Sequence, residues 1–176
     1  MTADVVVKTL GEVAKIKNGK DYKHLSEGKY PVYGSGGIMT YVNDFCYDKP
    51  SVLIPRKGSI NNLFYVDEPF WNVDTVFYTE INEKIITPKY FYYLLKKEHL
   101  EKLNTARGVP SLTQSVLNKV ILSIPPLAEQ ERIVKILDRF ENLCNDISSG
   151  LPAEIKMRKK QYEFYRDKLL SFKEKH

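Results

Sequence analysis

A chain of 176 residues, 43% of them hydrophobic, is long enough for one domain and an appendage. A net charge of +5 and a pI near 9.0 suit a polyanionic partner without requiring one. No apolar run reaches the length of a membrane span and no signal-peptide layout opens the chain. The two cysteines, Cys46 and Cys144, are too far apart to suggest a disulfide framework, so a reducing cytoplasm is expected. His24, His99 and His176 share no ligand spacing with either cysteine, so neither a zinc site nor any other cofactor is expected.

Val5 to Val7 predict a short strand, and Thr9-Leu10-Gly11-Glu12 has the form of a capping box, which starts a helical turn. Val13 to Lys17 form a second strand, closed by the tight-turn pair Asn18-Gly19. Lys15, Lys17, Lys20 and Lys23 gather around that turn with Tyr22, as a solvated edge or as a phosphate-contacting loop. After a turn at 26–28, Tyr30 to Tyr33 is extended and runs into Gly34-Ser35-Gly36-Gly37. This run lacks the Gly-Lys-Ser/Thr ending and the following helix of a nucleotide-binding loop, so it reads as a flexible turn that lets the chain approach a partner.

Ile38 to Tyr47 is strand-like, and Ser51 to Pro55 predicts a buried strand. The polar loop Arg56 to Asn61 separates it from Leu63 to Val66, carrying side chains that bond phosphates and base edges. The apolar run around Trp71 marks that ring as core and leads into a strand over 75–79. Thr87-Pro88 sets an N-cap and a first-turn proline for a helix to about Lys97, with a second short helix from His99 to Asn104. Residues 105–113 form a loop, Ser115 to Lys119 a helical turn, and Val120 to Ile124 the last strand. The implied architecture is an α+β domain with mixed, mostly short strands over 1–124, a helical region over 125–172 and a tail at 173–176.

Pro125-Pro126 opens the helical region. Apolar residues follow at Ile133, Leu137, Phe140, Cys144 and Ile147, alternating four and three apart as in a coiled-coil seam. Past Ser148-Ser149-Gly150 the pattern resumes with Ile155, Tyr162, Tyr165 and Leu169, interrupted by Arg158. An unbroken helix would run roughly 70 Å, too long to bury its seam on one small domain. The break at 148–152 either folds the halves into a hairpin or kinks a rod that pairs with another chain. The extended, partner-seeking coiled coil is the favoured expectation.

Catalytic constellations are not found. Ile124-Pro125-Pro126-Leu127 lacks the amide or carboxylate of an amino-methyltransferase loop, and Asp67-Glu68 and Glu80 with Glu83 and Lys84 do not make a metal-dependent nuclease. The scattered histidines supply no nucleophilic triad.

Gly108-Val109-Pro110-Ser111-Leu112, then 120–124, then Pro125-Pro126-Leu127-Ala128-Glu129-Gln130-Glu131-Arg132-Ile133-Val134, resemble a target-recognition domain entering its spacer helix. Leu151 to Ile155, and Arg158-Lys159-Lys160-Gln161-Tyr162-Glu163-Phe164-Tyr165-Arg166-Asp167-Lys168-Leu169-Leu170, resemble the rest of that spacer. Leu10-Gly11-Glu12-Val13 with Asn18-Gly19-Lys20 resembles the usual domain opening. The pattern is that of DNA-specificity subunits of type I restriction–modification systems. The resemblance implies a non-catalytic subunit that reads half of a split site in double-stranded DNA and positions methyltransferase and restriction (translocase) subunits. Full subunits carry two recognition domains and two helices, and this chain has one of each. The implied assembly is a homodimer through antiparallel helices, with Ile133, Leu137, Phe140, Cys144, Ile147, Ile155, Tyr162, Tyr165 and Leu169 in the seam. From their chemistry, the candidate DNA contacts are Arg56, Lys57, Ser59 and Asn61; then Lys20, Tyr22 and Lys23 with Gly36; then Arg107, Ser111 and Thr113. The rival expectations are a coiled-coil adaptor whose basic domain binds protein or RNA, and the specificity fragment of a fused restriction–methylation enzyme.

Overall fold

The computed structural model describes residues 4–104, 111–146 and 152–171, with the side chains of 143–146 and 152–155 excepted. The chain runs β1 (Val6–Thr9), α1 (Leu10–Val13), β2 (Ala14–Asn18), β3 (Glu27–Gly34), β4 (Gly37–Val42), β5 (Ser51–Pro55), β6 (Phe64–Val66), β7 (Trp71–Asn72), β8 (Val76–Ile81), α2 (Pro88–Glu98), a 3-10 turn (Leu100–Leu103), α3 (Gln114–Leu117), β9 (Ile121–Ile124), α4 (Leu127–Asp146) and α5 (Pro152–Leu170). This is the expected α+β class.

The described strands form three sheets: β1-β9, β2-β8-β5-β6 and β4-β3-β7. The second is the centre of the domain. Every residue of β5 is buried, and successive side chains face opposite sides. Val52 and Ile54 join the large core under the helices, while Leu53 joins Val66, Phe70 and Val76 on the other side. In β8, Phe77 belongs to the helical side and Val76 to the other by the same alternation. Where β5 meets β8, two buried hydroxyls carry the pairing: Ser51 Oγ donates to Thr79 O at 2.8 Å, and Val52 N donates to Thr79 Oγ1 at 3.0 Å. The third sheet covers a smaller core of Val32, Val42 and Trp71.

The Glu12 carboxylate accepts from Thr9 N and Thr9 Oγ1, at 2.6 and 2.8 Å, which sets the entry to α1. These bonds, the backbone one first, hold its carboxyl below the usual range. The helical layer starts from Gln130, which is fully buried. Its Oε1 accepts from Thr87 N at 2.8 Å, and its Nε2 donates to Ile85 O and Pro125 O at 3.0 and 2.9 Å. One side chain thus joins the first turn of α4 to the N-cap of α2. Farther along, the buried Tyr93 hydroxyl meets the carboxylates of Asp138 and Glu141, while Lys89 and Lys96 ion-pair with the same two groups. Burial, then these carboxylates, raises the Tyr93 phenol well above its ordinary range.

The expected extended coiled-coil rod does not form. The rings of Phe140 and Tyr165 stack with centroids 5.6 Å apart. In an unbroken helix those 25 steps would separate them by about 38 Å. The two helices therefore fold back as a hairpin, with Ile133, Leu137 and Leu170 all entering the main core. The physical reason is local: α2 offers Tyr90, Phe91, Tyr93, Leu94 and Leu95 to that same core, so the seam finds a partner within its own chain. Lys97 Nζ donates to Leu170 O at 3.4 Å and ties the end of α5 to the end of α2. Tyr162 and Leu169 pack on the rim of that core. Ile147 lies outside the described residues, as do the side chains of Cys144 and Ile155.

Candidate nucleic-acid interface

Loops far apart in sequence meet beside the second and third sheets. Residues 19–23 are clamped by β7: Lys20 N donates to Asn72 O at 2.9 Å, and Trp71 Nε1 donates to Lys20 O at 3.0 Å. Gly19 permits this close approach. A Cβ there would stand 2.1 Å from Val73 O, closer than any side chain can sit. Trp71 is thus a core residue, as expected, and also a clamp for the lysine loop.

The β3–β4 hairpin turns at Ser35-Gly36, with Gly34 paired to Gly37. It leans on the loop after β5: Asn62 Nδ2 donates to Ser35 O at 3.2 Å. Gly58 adopts φ +75°, and its Cα lies close enough to Ser35 that an added Cβ would meet Ser35 Oγ at 3.0 Å. On the other side, Lys57 bridges to Ser111, and Leu112 N donates to Arg56 O at 2.9 Å. Gln114 Nε2 reaches Asn18 Oδ1 at 3.2 Å and joins α3 to the first turn.

The structure thus connects most of the loops marked by the sequence, though not every side chain in the same way. Tyr22, Lys23 and Gly36 line one groove of roughly 880 Å³. Lys20, Lys23, Lys57 and Ser59 are exposed. Lys20, Lys23 and Lys57 form no ion pair among the described residues. Arg56 is half-buried, with its guanidinium carbon 5.0 Å from the centroid of the Phe77 ring, so part of its charge is engaged in packing. Thr113 Oγ1 accepts from Val116 N at 3.4 Å as the cap of α3. Asn61 turns to the helical side, where it lines a cavity of roughly 220 Å³ with Lys96, His99 and the buried Arg166. Arg107 lies outside the described residues.

Sequence reasoning missed Asp21, Ile38, Met39, Asp74 and Asn62. The first four line the groove, and Asn62 holds two of its loops together. The apolar pair stood in a stretch marked only as a strand, and no spacing rule connects residues 21, 38 and 74. Cys46 is a half-buried free thiol. Burial pushes its thiol up, and its Sγ donates to Asn72 Oδ1 at 3.3 Å. Among the described residues no cluster of three His, Cys, Asp or Glu could hold a metal ion, and no helix is long and apolar enough to cross a membrane.

Comparison with known proteins places this geometry. A family model, the type I restriction modification DNA specificity domain, matches residues 2–157. Over 144 residues the chain is 42% identical to the type I restriction enzyme EcoR124I/EcoR124II specificity subunit of Escherichia coli, covering 78% of this chain and 32% of that protein. It is 31% identical over 169 residues to the type I restriction enzyme MpnII specificity subunit of Mycoplasma pneumoniae, covering 92% of this chain and 51% of that one. The crystal structure of a type I restriction–modification S subunit from M. genitalium superposes with a TM-score of 0.71 at 20% identity, over 84% of this chain and 41% of that one, which shows a shared fold. The chain spans about half the length of these relatives, or less. With the family model covering most of its sequence, it belongs to the family of type I restriction–modification DNA specificity domains.

Proposed function

We propose that this chain is a recognition element of a type I restriction–modification complex. It reads one half of a split DNA site in the cytoplasm and leaves methylation and cleavage to methyltransferase and restriction subunits docked around it. The observation that carries this reading is the convergence of the loops at 19–23, 34–37, 56–62 and 111–114, with exposed lysines that form no ion pair among the described residues. Phosphate-bonding cations at the rim and polar groups between them are what a sequence-reading surface needs.

The helical hairpin supplies the second half of the proposal. Met157 and Phe164 of α5 stay exposed. Two copies pairing through these residues would form a four-helix bundle with two readers in two-fold symmetry, which calls for a palindromic split site. The coiled coil expected of one long helix then becomes the packing between two hairpins.

The test is a titration of duplex DNA against structured RNA, with the solution mass measured alone and with methyltransferase subunit added. The expected outcome is preference for duplex, twice the chain mass, and a stable larger complex. Preference for RNA, or indifference to the methyltransferase subunit, contradicts the proposal.

A further inference from the structure

The groove between the 19–23 loop and the β3–β4 hairpin holds a mixture of groups that the general reading does not use. Its walls carry Asp21, Tyr22, Lys23, Ile38, Met39 and Asp74. Asp74 has no hydrogen bond or ion pair among the described residues, and Asp21 uses only Oδ1, which accepts from Lys23 N at 3.4 Å. Ile38 and Met39 are 50% and 57% exposed on β4, an edge strand of its sheet.

Resting on the proposed function, we infer that this groove receives base edges in the major groove of duplex DNA. Asp21 and Asp74 accept from the exocyclic amino groups of cytosine or adenine, and Ile38 and Met39 lie against thymine methyl groups. Three arguments converge. Carboxylates repel phosphate, so a groove walled by two of them is not built for the backbone; Lys20 and Lys57, which do not line it, are available for that. An acceptor-only group matches an amino donor, and cytosine N4 and adenine N6 both face the major groove. The one apolar feature on those edges is the thymine methyl, which gives the exposed Ile38 and Met39 a surface to cover, and a two-stranded ribbon such as β3–β4 fits the width of the major groove. The walls are held in place by Val73 N donating to Tyr33 O at 3.0 Å and by the Trp71 clamp on Lys20.

The experiment enriches bound sequences from a random duplex pool using the full chain, then its Asp21→Asn, Asp74→Asn and Ile38→Ala variants, each checked for an unchanged melting temperature. Wild type is expected to enrich a motif containing adenine or cytosine. At least one Asp→Asn variant is expected to change the preferred base at one position, with discrimination there altered on the order of tenfold and the other positions kept. Replacing a thymine of the motif by uracil should weaken wild type several-fold and Ile38→Ala hardly at all. If both Asp→Asn variants keep the wild-type motif at every position, or simply bind every sequence more tightly by the same factor, the inference is overturned while DNA reading stands. A wild-type chain that enriches nothing removes the DNA reading itself and this inference with it.

Discussion

A methyl group on Gly19 would stand 2.1 Å from Val73 O, so Gly19→Ala must push the lysine loop off β7. The expected cost is about 1–3 kcal/mol in urea unfolding, with a larger loss of DNA affinity than Lys20→Ala alone produces. Trp71→Phe keeps most of the ring but deletes the N–H that donates to Lys20 O. It should cost about 1 kcal/mol and weaken DNA binding without changing net charge. Equal affinity for duplex in both variants would show that the loop needs no clamp. Residue chemistry marked Lys20, Tyr22 and Lys23 from the sequence as either a solvated edge or a phosphate-contacting loop, because cations and an aromatic beside a tight turn suit both. The same chemistry could not reveal that Arg56 lies over Phe77 or that Thr113 caps α3. Those depend on neighbours brought in from elsewhere in the chain.

At the scale of elements, Gln130 shows why the Pro-Pro-Leu-x-Glu-Gln run has its form: the glutamine satisfies three backbone groups at the α2–α4 junction. Gln130→Leu preserves bulk but leaves those groups without a partner, and should lower stability by about 2–3 kcal/mol. A melting temperature equal to that of wild type would contradict this. The strands were legible because β2, β5 and β8 alternate or run fully apolar between turn residues. The hairpin was not. A heptad seam states that an apolar stripe must be covered, and it does not state by what; α2, in the same chain, was an equally good partner. Phe140→Cys with Tyr165→Cys, in a chain whose Cys46 and Cys144 are replaced by serine, tests the fold-back. A short bismaleimide should close the pair within one chain. Crosslinked dimers as the main product would restore the extended rod.

At the scale of the whole molecule, Tyr33, Tyr47, Tyr65, Tyr78, Tyr90 and Tyr93 hold their phenols above the ordinary value of 10.0, with burial the leading cause in each. Their folded pKa values exceed the unfolded ones. The stability they confer is therefore complete below about pH 10 and is lost as pH rises beyond it, because the unfolded chain releases those protons first. Melting temperature should fall steeply above that pH, with tyrosinate absorbance rising at unfolding; a flat profile would contradict the burial of these rings. The α+β class was expected from the sequence. How the loops meet was not, since Lys57 with Ser111 and Asn62 with Ser35 are pairs that only the folded chain brings together.

The most direct test of the converged loops as a DNA-reading face is the salt dependence of duplex binding, compared between wild type and a Lys20→Ala, Lys23→Ala, Lys57→Ala variant. Each phosphate that the variant no longer neutralises should take about 0.9 off the slope of log affinity against log salt. The variant's slope is expected to be shallower by about 2–3 units, with weaker binding to every sequence. A slope and affinity indistinguishable from wild type would place the DNA elsewhere on the molecule.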